Sequence, residues 1–360
     1  TGSEMSFPVS KIKATGESEY GNVAGAGTLV VRTPATPNGT LYVVNATSLY
    51  GQYAYRPMLS QLTPIPSNQV WTFDAVVTGD NGILSIPTGT TLNLARGFES
   101  VSSSSTEREN GILIDGGNLT YPPQGTHTIS NYWILQANTP YTLTGNLVVT
   151  NAAAVGSLRI YNTSTSTCAK CTFTVTGDMT VASNGYLYAV NSGYATSGST
   201  SPMVSSGYGS HGGQNGQYTT NTTYDSILNP RHGGTFGGTA ESLPQGGGVM
   251  NLTVGGTLRI DGTATAGLSD SSRGRPGGAG AFNLTAARLE GTGSINANGS
   301  IRNVKDGTYY GASGGGRISV RLTDPAATFS EYWKSAINAK GGYTSLATLL
   351  ATNSSSAGTV

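Results

Sequence analysis

The sequence predicts an all-β protein built as a parallel β-helix, a solenoid of stacked strands that carries a Gly/Tyr-rich loop insertion. Three observations lead there. Similar segments recur at a fixed interval along the chain. Within each segment apolar residues alternate with threonines, which is strand periodicity. Helical periodicity is nearly absent, and a turn or two around residues 329–336 is the one candidate helix.

Taken in order, residues 1–70 lie outside the repeat and are expected to form an N-terminal β-rich cap or a preceding module. Residues 71–360 are expected to form the solenoid. A weak echo opens it, in NGILSI from Asn81 and NGILID from Asn110. TLTGNLVV begins at Thr142 and TVTGDMTV at Thr174, and this offset sets the period. TVGGTLRI begins at Thr253, well past the next expected start, and the surplus falls in the Gly/Tyr-rich region before it. MNLTV at Met250 and FNLTA at Phe282 repeat the Thr142-to-Thr174 interval. SINANG from Ser294 returns as AINAKG from Ala336, with TDPAATFSEYWKS lengthening that unit.

Aligned this way, Leu143, Val175 and Val254 share one position, and Leu147, Met179 and Leu258 share another. Each strand buries only one side, so the strands must stack to make a core. Equivalent residues then form aliphatic ladders with a step of about 4.8 Å. A propeller blade needs a longer period, nearer ~40–45 residues, and four strands per repeat, which this chain does not show. The surplus chain defines a loop insertion at about 197–245.

The run GGGVMNLTVGGTLRIDGTATA, GGAGAFNLTAARLEGTGSINANG, GASGGGRISVRL and SSSAGTV resembles the glycine-rich right-handed parallel β-helix regions of large bacterial cell-surface, adhesin-like proteins, which share a pectin-lyase-like architecture. The resemblance is clear over about 142–360, faint over 75–120, and absent from 1–70. It implies a right-handed helix and a surface, adhesive or filament-forming role. It implies no fixed catalytic residues.

Composition narrows the function further. Charged residues make up 10% of the chain, against about 25% in an ordinary domain. The net charge of +1 supplies no field to attract nucleic acid or an anionic membrane. Glycine (52) and tyrosine (19), with many Ser, Thr and Asn, give a hydrogen-bonding, nearly uncharged surface. Such a surface suits a secreted or cell-surface protein with polysaccharide or cell-surface glycan as partner. No stretch reaches the roughly 18 apolar residues of a membrane span, so membrane insertion is not expected. The chain starts mid-pattern without a signal peptide, as a mature or excised portion would. Nine Asn-x-Ser/Thr sequons, Asn38, Asn45, Asn118, Asn251 and Asn283 among them, are common by chance in so Asn- and Thr-rich a chain.

Candidate sites divide into chemistry and surface. A glycosidase needs two carboxyls roughly 5–9.5 Å apart, but the acids do not recur at one position. Asp178 aligns with Asn146 and Thr257 at a turn, Asp261 aligns with Thr292, and Glu290 faces Arg259 as an outward ion pair. No catalytic residue is expected, and a polysaccharide lyase or hydrolase is the competing reading. His211 and His232 with Cys168 and Cys171 do not follow zinc-ligand spacing, so no metal site is expected. The cysteines either close a tight disulfide between rungs or stay as two thiols. Gly-Asp and Asn-Gly steps read as turns, although one structural Ca2+ in a loop would also fit. No other cofactor is expected.

The insertion contains GYGSHGGQNGQYTTNTTYDSILNPRHGGTFGG, from Gly207 to Gly238. Its two His-Gly-Gly elements read as a loop folded back on the solenoid wall. Tyr194, Tyr208, Tyr218 and Tyr224, with His211 and His232, are the expected ligand-contacting residues, since tyrosine offers large amphipathic area at low entropic cost. The strands near the end of the sequence would need covering by further chain or another subunit, so self-association or polymerisation is expected too.

Overall fold

The computed structural model describes residues 14–15, 18–19, 22–23, 25–45, 62–79, 82–101, 111–120, 125–129, 132–136, 140–150, 156–161, 170–190, 192–194, 209–214, 223–237, 246–267, 277–300, 312–329, 332, 336–342 and 357–360. Among these the protein is all-β, with long parallel sheets and no α-helix. Of the short helix expected at 329–336, residues 330, 331 and 333–335 lie outside the described residues. The chain divides into two compact units, Thr1–Pro122 with Ser130–Trp133, and Pro123–Ile129 with Ile134–Val360.

In the first unit a short antiparallel pair, Ser18–Glu19 with Asn22–Val23, precedes an antiparallel hairpin of Leu29–Thr33 and Thr36–Val44. The hydroxyls of Thr33 and Thr36 each accept the other's backbone N–H, which fixes the turn. Thr36–Val44, Val70–Gly79, Thr91–Val101 and Asn118–Thr120 then pair in parallel. A second parallel set joins Leu62–Pro64, Ile83–Pro87 and Gly111–Asp115. Leu41, Val43, Val76, Ile83, Leu84, Ile86 and Leu92 are buried here. Asp74 is buried as well, and its Oδ2 accepts the amides of Asn38 (2.8 Å) and Gly39 (3.0 Å). The NGILSI/NGILID echo aligns Ile83 with Ile112, yet the structure pairs Leu84 with Ile112, one position out. Ile83–Ser85 and Ile112–Ile114 are buried at every position or nearly so, so no polar face pins the register.

In the second unit the pairing follows the sequence repeat. Leu143 pairs with Val175 and Val175 with Val254. Leu147 pairs with Met179 and Met179 with Leu258. All six side chains are buried. Met250 pairs with Phe282, and Ile295 with Ile337. One sheet stacks Pro140–Leu143, Lys170–Val175, Val249–Ile260, Ala281–Glu290 and Arg317–Leu322. Alongside, Asn146–Val149 pairs with Met179–Val181, which pairs in turn with the later half of Val249–Ile260. Another sheet stacks Gly156–Tyr161, Gly185–Tyr188, Thr263–Thr265, Ser294–Asn296 and Ile337–Asn338.

A third layer has no strand ladder. Extended glycine-rich segments at 192–194, 209–214, 231–237, 246–248, 277–280 and 312–316 exchange backbone hydrogen bonds with one another. Tyr194 N–H donates to Gly234 O, Gly234 N–H to Gly247 O, and Gly247 N–H to Gly278 O. Gly314 N–H donates to Gly209 O. A Cβ on Gly234 would collide with Gly278 O. Backbone can approach backbone this closely only where side chains are absent. The insertion is therefore held by its glycines, main chain against main chain.

Candidate functional site

The insertion's polar residues converge on Asp225. Its backbone φ of 77° lies in the left-handed region, which Asp adopts more readily than most residues. The carboxylate gathers the turn that follows it. Oδ1 accepts the amides of Ser226 (2.8 Å) and Arg231 (3.0 Å), and Oδ2 accepts those of Arg231 (2.8 Å) and His232 (2.9 Å). Oδ2 also stands 3.2 Å from His211 Nε2, with side-chain exposures of 3% and 0%. Burial pushes the carboxyl up, but the His211 ring and the three backbone amides outweigh it and hold Asp225 down at about 2.

His211 is fixed from its other side too. Its Nδ1 lies 3.0 Å from Ala279 O and 3.2 Å from Gly280 O, so both ring nitrogens face oxygen acceptors. The Tyr224 ring packs beside it at a centroid distance of 5.0 Å. The Tyr224 hydroxyl donates toward Ser210 O (3.1 Å) and Gly233 O (2.6 Å). Its carbonyl accepts Nε and Nη2 of Arg317 (2.9 and 2.7 Å). Burial pulls the Arg317 guanidinium below its usual range, while nearby Asp225 acts in the opposite direction. Tyr194 is buried, with its hydroxyl 2.9 Å from Nδ1 of exposed His232.

Four of the six expected contact residues, Tyr194, His211, Tyr224 and His232, thus form one network. Tyr208 and Tyr218 lie outside the described residues, as does Cys168. Cys171 is a free thiol in the core, and burial pushes it up to about 12. Asp225 and Arg317 are the members that sequence reasoning did not single out. Arg317 stands in GGGRISV at the start of an alternating strand, and it is buried. The His211–Asp225 pair has the polarity of a base and its orienting acid. Both groups are closed off, however, and each is engaged by backbone, so the network works as a clasp between the loop and the glycine layer.

Elsewhere in this unit Asp178, Asp261 and two asparagines hold turns together. Asn146 Oδ1 accepts Asp178 N–H (2.8 Å), and Asp178 Oδ1 accepts Thr257 N–H (2.7 Å). Asp261 Oδ1 accepts Thr292 N–H (3.1 Å), and Asn298 Oδ1 accepts Lys340 N–H (2.8 Å). Each side chain passes one bond to the backbone of the next stacked turn. Glu290 pairs in register with Arg259, their charged atoms 4.0 Å apart. Among the described residues no group of three or more His, Cys, Asp or Glu is placed to hold a metal ion.

Outward positions are mostly neutral. Thr142, Thr174, Thr253 and Thr285 stand in register, with Arg321 next. Thr172, Asn251, Asn283 and Ser319 form a parallel column. On the other sheet, Tyr186, Thr263 and Ser294 form one column, and Tyr188, Thr265, Asn296 and Asn338 another. No family model matches the chain, and no curated protein or solved structure is detectably similar to it.

Proposed function

We propose that this chain is a right-handed parallel β-helix acting as a non-enzymatic extracellular surface module, an adhesin or filament building block whose flat faces bind glycan or neighbouring subunits. The observation that carries the reading is the column of in-register threonines, Thr142, Thr174, Thr253 and Thr285, on parallel strands. They repeat one hydroxyl every strand step, about 4.8 Å, over a nearly uncharged surface. A surface of this kind matches a partner that is itself a repeating array of hydroxyl groups. The use of His211, Asp225, Asp178 and Asp261 as ties to backbone supports the same reading, because it commits the groups that hydrolysis would need. A glycan array read beside a cleavage screen on acidic and neutral polysaccharides tests it. Binding without release of oligosaccharide is expected. Turnover of any of these polymers would replace this reading with that of a polysaccharide-degrading enzyme.

A further inference from the structure

The sequence GYLYAV places Tyr186 and Tyr188 on one strand with a single residue between them. Its burial alternates, with Gly185 and Leu187 inside and both tyrosines on the outward, partly exposed positions. Alternate residues on a strand project from the same face, about 6.6 Å from one another. The next strand sets Thr263 beside Tyr186 and Thr265 beside Tyr188. The strand after it continues with Ser294 and Asn296, and then Asn338. Two aromatic rings therefore open onto a strip of hydroxyls and amides about 15 Å long, three strand steps from the tyrosines.

The strip is also partly set in place. Asn296 Nδ2 donates to Ser294 Oγ at 2.9 Å, and Thr265 Oγ1 accepts the amide of Gly267 at 3.3 Å. On the far side of the tyrosines the register puts Arg159 next to Tyr188, the only formally charged residue among the described members of the two columns.

We infer that Tyr186 and Tyr188, with Thr263, Thr265, Ser294 and Asn296, form a binding strip for an uncharged polysaccharide chain. The inference rests on the surface-module reading above and adds a second ligand strip, on the sheet that contains Gly185–Tyr188. An apolar protein partner would have to desolvate the Thr, Ser and Asn groups without bonding them, which is costly. An anionic polymer would find only a row of neutral groups along this strip. A neutral sugar chain meets both halves of the strip: its C–H faces lie on the rings, and its hydroxyls exchange bonds with side chains able to donate and accept.

The test is co-sedimentation of the full chain with insoluble neutral polysaccharides (cellulose, chitin, mannan) and with calcium-gelled acidic ones (alginate, polygalacturonate). It compares the wild type, the Tyr186→Ala/Tyr188→Ala double variant, the Tyr186→Phe/Tyr188→Phe double variant and Val70→Ala at an exposed position of the first unit. The wild type is expected to bind at least one neutral polymer. The alanine pair should weaken that binding by about tenfold or more, the yield of two ring contacts. The phenylalanine pair, which keeps both rings, and Val70→Ala should bind within about threefold of the wild type. Wild-type binding by the alanine pair, or binding to acidic polymers alone, overturns the strip and leaves the surface module standing. Loss in the phenylalanine pair equal to that in the alanine pair also overturns it, because the rings would then carry nothing. No binding by the wild type to any of these polymers removes the strip and the glycan part of the module reading together.

Discussion

The clasp at Asp225 makes a quantitative prediction for Asp225→Asn. Asparagine tolerates the same left-handed backbone, so the change removes charge and one acceptor with little backbone strain. The wild-type carboxyl lies at about 2 instead of 3.8. At about 1.4 kcal/mol per pH unit, that difference corresponds to about 2 kcal/mol of stabilisation. Solvent screens little of it, since the side chain is 3% exposed. The sign follows from the depressed value. The contribution is complete above about pH 4 and is lost as pH falls through about 2. In the variant the amide NH2 must also face an N–H of Arg231, His232 or His211, which adds a donor–donor mismatch of about 1 kcal/mol or more. Hydrogen exchange at the amides of Arg231 and His232 is the suitable assay, because the loop can open without the sheets. At pH 6 these amides should exchange at least about thirtyfold faster in Asp225→Asn. The difference should shrink by the charge term, about 2 kcal/mol, as pH falls from about 4 to below about 2. A variant that protects these amides as well as the wild type, or a gap that stays constant across that pH range, would refute the argument.

Two further outcomes follow from the stacked core and the glycine layer. Leu258→Asp puts a carboxylate between Met179 and Leu289 in a fully buried ladder. It should cost several kcal/mol in denaturant unfolding, and a loss under about 1 kcal/mol would mean the ladder does not face the core. Gly234→Ala forces its Cβ against Gly278 O. The insertion should detach from the layer, read as faster exchange at Tyr194 and Gly278, while the sheet signal in circular dichroism persists.

The parts of the fold written locally were legible in the sequence. Leu143, Val175 and Val254 share a face because alternation and a fixed offset together specify both orientation and partner. The turn acids were readable for the same reason, as Asp178 and Asp261 bond to the residues aligned with them one unit later. The Ile83–Pro87 strand was readable as strand but not in register, because burial on both faces leaves no alternation to set it. His211 and His232 look alike in sequence, each followed by two glycines, yet one is sealed against Ala279 and the other is exposed. What separates them is contact with Ala279 and Gly280, far along the chain, which local pattern does not encode.

That separation also bears on where a ligand can act. The density of tyrosine in the insertion drew the expected contact surface there, but aromatic density says nothing about orientation. Tyr194 is buried and bonded to His232, and Tyr224 anchors its hydroxyl on two carbonyls. Both serve cohesion because the glycine segments around them offer no side chains, so polar aromatics fill the gaps and satisfy stray backbone groups. On the regular strands the division of labour is different. Backbone groups are already paired in the ladder, and inward aliphatics fill the core. Outward side chains such as Tyr186 and Tyr188 stand outside both the backbone ladder and the inward-facing core positions. Side chains placed in this way are where binding can be altered without loss of the fold, and the Tyr186/Tyr188 variants are chosen for that reason.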